Sequence, residues 1–98
     1  MDYMIGGDRW SGLSKLIEEC GEAQQVAGKI LGTGGVTEHW DGKGDLKTRL
    51  EDEIADVVAA CAFVRDMNGL DVARIEARSR EKHATFKKWH EDVRRRGT

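Results

Sequence analysis

The sequence predicts a single all-α domain, and three observations indicate this class. The chain of 98 residues contains no proline, so residues that break helices are scarce. Apolar residues recur at helical spacing along three segments, and charged residues make up 35% of the chain. A chain of this length has room for one domain, covering residues 1–98, and not for a second.

The first two helices are predicted from the apolar face that each segment carries. The first runs from about Ser11 to about Leu31, and its face is formed by Leu13, Leu16, Ile17, Cys20, Ala23, Ala27, Ile30 and Leu31. The second runs from about Asp45 to Met67, and its face is formed by Leu46, Leu50, Ile54, Val57, Val58, Cys61 and Val64. Asp45 is expected to cap the second helix, and Asn68-Gly69 is expected to end it.

A third helix is predicted from near Asp71 to about Arg95. Its stripe contains Val72, Ile75, Phe86, Trp89 and Val93. Between the first two helices, Gly32 to Gly44 holds five of the twelve glycines and predicts a flexible loop, long enough to suggest a functional role. The expected architecture is a helical hairpin followed by a long third helix.

Charge is distributed unevenly along the chain. Residues 1–73 hold seven basic and fourteen acidic side chains, a balance of −7, whereas residues 74–98 hold nine basic and four acidic, a balance of +5. This asymmetry is consistent with acids gathered around a cation and a basic helix that meets phosphate. Two solvated helix faces are the alternative interpretation.

The sequence also predicts a cytoplasmic protein with no membrane partner. The longest apolar stretch, Ile54 to Val64, carries Asp56 and is too short to span a bilayer. No signal peptide is visible in the first eight residues. Cys20 and Cys61 fall within the apolar patterns, so we expect reduced core thiols rather than a disulfide.

Two acidic pairs carry the strongest chemical signal. Glu19 and Glu22 lie three residues apart on the first helix, as do Glu53 and Asp56 on the second, so each pair shares a helix face. In an antiparallel hairpin each pair lies about ten residues from the loop, or roughly 15 Å along the helix, and the pairs face each other. Four facing carboxylates need protons or a multivalent cation, and an all-carboxylate donor set indicates Mg²⁺ or Mn²⁺. Solvated acids at the helix edges are the alternative.

The segments around these pairs resemble the MazG-like, all-α nucleoside triphosphate pyrophosphohydrolases. They read Leu16-Ile17-Glu18-Glu19-Cys20-Gly21-Glu22-Ala23 and Leu50-Glu51-Asp52-Glu53-Ile54-Ala55-Asp56-Val57-Val58. The resemblance covers roughly Trp10 to Trp89 and extends to Lys82 and to Lys-Lys-Trp at positions 87–89. The thirty residues between the two motifs are somewhat long for the family, with the additional length in the glycine-rich loop.

The resemblance implies Mg²⁺-dependent hydrolysis of a (deoxy)nucleoside triphosphate to the monophosphate and pyrophosphate, which removes unwanted nucleotides from the pool. Glu19, Glu22, Glu53 and Asp56 would hold the cation, with Mn²⁺ as an alternative to Mg²⁺. Either Glu18 or Glu22 would orient the attacking water. The candidate substrate contacts are Lys82, Lys88 and Trp40. Alternatively, the two lysines are surface residues, and the tryptophan packs back onto the hairpin.

A non-catalytic helical module is the alternative function, binding a nucleotide, a nucleic acid or a protein partner through the basic third helix. Acidic residues interleaved along that helix weigh against nucleic acid. We also expect a homo-oligomer, a dimer or tetramer, because Val26, Ala60 and Phe63 on the acidic side of the hairpin would otherwise stay exposed. A second copy would complete a four-helix-bundle-like assembly and could bring Lys82 or Trp40 to the acids of its neighbour. Alternatively, the third helix folds back and covers this surface.

Overall fold

The computed structural model describes residues 9–39 and 41–97, which form three α-helices. Helix α1 spans Leu13–Gly32, α2 spans Leu46–Met67 and α3 spans Val72–Gly97. The described residues contain no β-strand, so the predicted all-α class is confirmed. Within that same part of the chain, none of the helices is both long and apolar enough to cross a membrane.

The residue before α1 is a glycine, Gly12, and both its conformation and its surroundings require glycine. Gly12 has φ +85°, in the left-handed region that side-chain-bearing residues rarely adopt. A Cβ atom at this position would lie 2.5 Å from Cδ2 of Phe63, which packs against the turn from α2. The start of α1 therefore approaches the end of α2 closely.

Helix α2 is capped at both ends by its own polar side chains. The Asp45 carboxylate accepts hydrogen bonds from the backbone N–H groups of Lys47, at 3.0 Å, and Thr48, at 3.3 Å, which confirms the predicted N-cap. At the other end, the Asn68 amide donates to the carbonyls of Val64, at 2.8 Å, and Ser11, at 3.0 Å. The second bond links Ser11, two residues ahead of the start of α1, to the end of α2, so the two helices form an antiparallel hairpin.

The hairpin core is small and lies on the acidic side of both helices. Its buried apolar residues are Val26, Leu46, Ala60 and Val64. Glu19 is buried beside them at 8% exposure. Val26 and Ala60 are thus covered within one chain and Phe63 is half-buried, so the surface that the sequence left for a second copy is not open.

The predicted apolar faces of α1 and α2 are buried only in part, and this corrects the sequence-based expectation. Leu46 and Val64 of the α2 face are in the core, as predicted, whereas no residue of the α1 face is buried. Ile17 is 70% exposed, Leu31 81% and Val58 62%. The thiols of Cys20 and Cys61 are exposed as well, rather than in the core. The physical reason is that two helices bury only the strip along which they touch, and here that strip contains Glu19, Val26 and Ala60 together with the two buried residues of the α2 face.

Helix α3 extends away from the hairpin and does not fold back over it. No residue of α3, from Val72 to Gly97, is buried. Near its start, Ile75 borders a groove on the hairpin together with Leu16 and Val57. The radius of gyration is 16.8 Å, against about 13 Å for a compact domain of this length. The fold therefore positions the acids inside the hairpin and leaves apolar surface uncovered.

Candidate metal centre

The four acids predicted to form a metal site come together between α1 and α2. Glu19 and Glu22 project from α1, and Glu53 and Asp56 project from α2. Each contributes one carboxylate oxygen, and these four oxygens all lie within 4.8 Å of one another. The antiparallel pairing places the two i,i+3 pairs at the same level, as their distances from the loop predict.

The four acids of the cluster differ in burial, from one buried side chain to one exposed side chain. Glu19 is buried, Glu22 and Glu53 are half-buried, and Asp56 is exposed. Oε2 of Glu19 and Oε2 of Glu53 are buried without a hydrogen-bond partner among the described residues. An unpaired buried acceptor costs roughly 1–3 kcal/mol, and a cation that takes oxygen ligands would satisfy both atoms. The donor set therefore fits a hard divalent cation.

The charges of the cluster act on one another. The negative charge of Glu19 raises the pKa of Glu22 above its usual value, and burial and the charge of Glu53 act in the same direction. Lys15 Nζ lies 3.2 Å from Glu19 Oε1 and 3.4 Å from Glu18 Oε1. These contacts, the one with Glu19 above all, raise the pKa of the Lys15 ammonium group. One ammonium does not balance four carboxylates, so this site attracts cations.

A depression beside the cluster combines acidic, basic and apolar lining. Glu19, Asp56 and Lys15 form its polar part. Ala59 and the ring of Phe63 form its apolar part. A ligand with an apolar group next to a charged, cation-binding group would match this lining.

The other predicted site residues are not part of the cluster. Glu18 is adjacent on α1, but its side chain is 56% exposed and pairs with Lys15. Lys82 and Lys88 are exposed on α3, outside the hairpin, and Lys88 pairs with Asp92 at 2.9 Å. Trp40 lies outside the described residues.

Lys15 is the residue of the site that sequence reasoning missed. It precedes Glu19 by four residues, the spacing at which opposite charges meet on a helix. That spacing would have identified it, since the acid it reaches was already a candidate ligand.

A second polar cluster, which the sequence analysis also did not predict, joins the loop to both helices at the loop end of the hairpin. Asp41 has a side chain only 12% exposed, and both of its oxygens lie 3.1 Å from Arg49 Nη1 on α2. Lys29 at the end of α1 lies 3.4 Å away. The His39 side chain is 9% exposed, and its Nδ1 lies 3.1 Å from the same carboxylate.

These contacts tie α1, the loop and α2 to one carboxylate. The backbone N–H of Lys43, together with Arg49, His39 and Lys29, holds the pKa of Asp41 well below its usual range, although burial opposes this. Because the loop end is fixed, the levels of the two helices are fixed as well. The register that brings the four acids together therefore depends partly on Asp41.

Comparisons with known proteins leave the function to be argued from this geometry. No family model, no curated protein and no solved structure matches the chain. The resemblance to the MazG-like pyrophosphohydrolases therefore stays a prediction.

Proposed function

We propose that the protein is a Mg²⁺-dependent nucleoside triphosphate pyrophosphohydrolase. Water would be added across the bond between the α- and β-phosphates, yielding the nucleoside monophosphate and pyrophosphate. The observation that carries the proposal is the convergence of four carboxylate oxygens within 4.8 Å, two of the carboxylates also having a buried oxygen without a hydrogen-bond partner. The resemblance of the two acidic motifs to the MazG-like family supplies the reaction type.

Glu19, Glu22, Glu53 and Asp56 would hold the cation. When bound, it would neutralise triphosphate charge and stabilise the charge that develops on the leaving pyrophosphate. Mn²⁺ would serve in place of Mg²⁺, because both prefer oxygen ligands in octahedral geometry.

Glu22 is the best placed of the acids to orient the attacking water and accept its proton. It is half-buried, between the buried Glu19 and the exposed Asp56, so it lies where both the cation and water would reach it. Glu18 is the second candidate for this role, although its carboxylate is exposed and paired with Lys15.

The substrate would lie in the depression beside the cluster. Its phosphates would approach Lys15 and the cation, and the apolar surface of Phe63 and Ala59 would contact the nucleoside. We retain Lys82, Lys88 and Trp40 as candidate substrate contacts on the strength of the resemblance. Since Lys82 is on the helix that leaves the hairpin, a homo-oligomer is the arrangement in which it could reach a site. A cytoplasmic location would suit such a substrate.

The test is pyrophosphate release from a panel of ribo- and deoxyribonucleoside triphosphates with Mg²⁺ and with a chelator. We expect turnover that requires the cation. Glu53→Gln and Asp56→Asn should each reduce turnover by about a hundredfold or more, because each removes a carboxylate that the cation needs. Asp52→Asn is the matched control, since it removes one exposed negative charge from α2 outside the cluster.

Two outcomes would contradict the proposal. Turnover at the wild-type rate in both cluster variants would remove the acids from the reaction. Products consisting of nucleoside diphosphate and orthophosphate would mean that the terminal phosphate is cleaved instead, and the reaction type would have to be withdrawn.

The alternative of a binding module on α3 has less support. Basic side chains of this helix pair with its own acids, Lys88 with Asp92 at 2.9 Å and Arg78 with Glu81 at 3.9 Å. The pyrophosphate-release assay separates the two functions, because a module that only binds nucleotide would release no pyrophosphate.

A further inference from the structure

Lys15 stands at one end of a line of residues that runs along α1 through the acidic cluster. Spacings of four, three and four residues separate Lys15, Glu19, Glu22 and Val26, so all of them lie on one side of the helix. Val26 is 5% exposed and closes the loop side of the cluster with apolar packing. Lys15 and the depression that it lines are on the other side, towards the start of α1. A ligand that enters from the depression therefore meets Lys15.

Lys15 also carries the positive charge of that depression. Among the described residues that line it, Glu19 and Asp56 are acidic, and Lys15 alone is basic. Without Lys15, an anionic group in the depression would face carboxylates, and like charges at this range repel one another. A phosphate bound there would therefore use the ammonium group of Lys15 in addition to a cation held by the acids.

In the structure, this ammonium group pairs with acids of its own helix. Nζ lies 3.2 Å from Glu19 Oε1 and 3.4 Å from Glu18 Oε1, and the side chain of Lys15 is 46% exposed. An ion pair formed by a side chain so open to solvent contributes little to stability, so its partner can be exchanged at small cost. The pair therefore keeps Lys15 beside the cluster without fixing it there.

A divalent cation among the four carboxylates would change the charge around Lys15. Glu19 is the buried acid of the four, at 8% exposure, and its Oε2 has no hydrogen-bond partner among the described residues. A cation that binds Glu19 neutralises the charge that attracts Lys15, and it also repels the ammonium group directly. Lys15 can then turn towards the depression, since nearly half of its side chain is open to solvent.

We propose that Lys15 exchanges an acid for a phosphate. It pairs with Glu19 until a divalent cation takes up the four carboxylates, and it then binds a phosphate group of the nucleotide in the depression. Each of the two ligands thereby raises the affinity of the protein for the other, by an equal factor. The inference rests on the proposed function for the identity of the phosphate compound, whereas its test needs binding alone.

The test is calorimetric titration of the full chain with Mg²⁺, and then with inorganic pyrophosphate in saturating Mg²⁺. In the absence of pyrophosphate, Lys15→Gln should bind Mg²⁺ about threefold more tightly than the wild type, because the competing ion pair is gone. In saturating Mg²⁺, the same variant should bind pyrophosphate about tenfold or more weakly, because a charge-assisted hydrogen bond is lost.

The opposite signs of these two changes distinguish an exchange of partners from a structural role. Replacing a lysine that only supported the fold would weaken the binding of both ligands. Lys15→Arg keeps the positive charge and should bind both ligands within about threefold of the wild type. Lys47→Gln is the matched control, because it removes one exposed positive charge at the loop end of α2, and it should change neither affinity.

Three results would overturn the inference. The first is a wild type that binds pyrophosphate no more tightly than Lys15→Gln in saturating Mg²⁺. The second is weaker Mg²⁺ binding by Lys15→Gln, and the third is the same pair of changes in Lys47→Gln. Failure of the proposed function has a different signature: no nucleoside triphosphate would release pyrophosphate, although Lys15→Gln shifted the two affinities in opposite directions.

Discussion

Replacing Glu53 by glutamine should stabilise the metal-free protein and weaken its response to Mg²⁺. Two full charges no more than 4.8 Å apart repel by about 3 kcal/mol or more at an effective dielectric of about 20. Removing the charge of Glu53 relieves this repulsion with Glu19. The new amide could also donate a hydrogen bond to the buried, unpartnered Glu19 Oε2. We therefore expect the free energy of unfolding without metal to rise by about 1–3 kcal/mol.

The stabilisation of the protein by Mg²⁺ should instead be greater with Glu53 than with glutamine. A cation that binds only the folded wild type stabilises it by about 2.7 kcal/mol at a concentration one hundred times its dissociation constant. The variant lacks one of four oxygen ligands, so the same addition should stabilise it less. Glu53 therefore lowers the stability of the folded protein without metal and raises it when Mg²⁺ is bound.

Thermal unfolding followed by circular dichroism, with a chelator and with Mg²⁺, measures both effects. In a domain of this size, 1 kcal/mol shifts the midpoint by about 4–8 °C. Asp52→Asn is the control, because it changes the net charge equally at an exposed neighbouring position. If Glu53→Gln and Asp52→Asn give the same midpoints in both conditions, the reasoning about the cluster is refuted.

Three further predictions concern residues around the hairpin. Gly12→Ala should lower the free energy of unfolding by about 2–4 kcal/mol in chemical denaturation, since alanine resists the positive φ and its Cβ overlaps Phe63; an unchanged stability would contradict the close approach. Lys15→Gln should tighten Mg²⁺ binding in a calorimetric titration, because it removes a positive charge 3.2 Å from Glu19; weaker binding would oppose this. Asp41 has a lowered pKa in the fold, so its stabilisation is complete above the unfolded value of about 3.9 and is lost as pH falls through the folded value. In acid unfolding, Asp41→Asn should therefore lose less stability below about pH 4 than the wild type, and equal losses would refute the role of this carboxylate.

Local signals in the sequence were sufficient for the helices and for the meeting of the acids. Asp45 and Asn68 mark the ends of α2 because capping is decided within a few residues. The acids meet because i,i+3 spacing and equal distances from one loop are properties of any antiparallel hairpin. Neither inference requires knowledge of which other surfaces touch.

The sequence predicted the buried residues of the two helices only in part. Periodicity identifies an apolar stripe, but it does not say whether the same chain or another covers it. Of the residues assigned to the core, Leu46 and Val64 are buried, but Ile17 and Val58 are exposed. Val26 and Ala60, which were placed on the acidic side, are buried as well. The sequence did not predict the contacts of Asp41 either, because they join a loop to two helices without any periodic spacing.

The arrangement separates cation binding from assembly, and this separation can be tested. Because the hairpin buries its acidic side within one chain, all four carboxylates are in place before any partner is present. Association of copies should then leave Mg²⁺ affinity unchanged. We therefore expect the same Mg²⁺ affinity in calorimetry at every protein concentration. If turnover per chain falls on dilution while Mg²⁺ affinity is retained, a partner copy contributes to the substrate site rather than to the cation. A parallel loss of Mg²⁺ affinity on dilution would instead mean that the carboxylate cluster is completed only between copies.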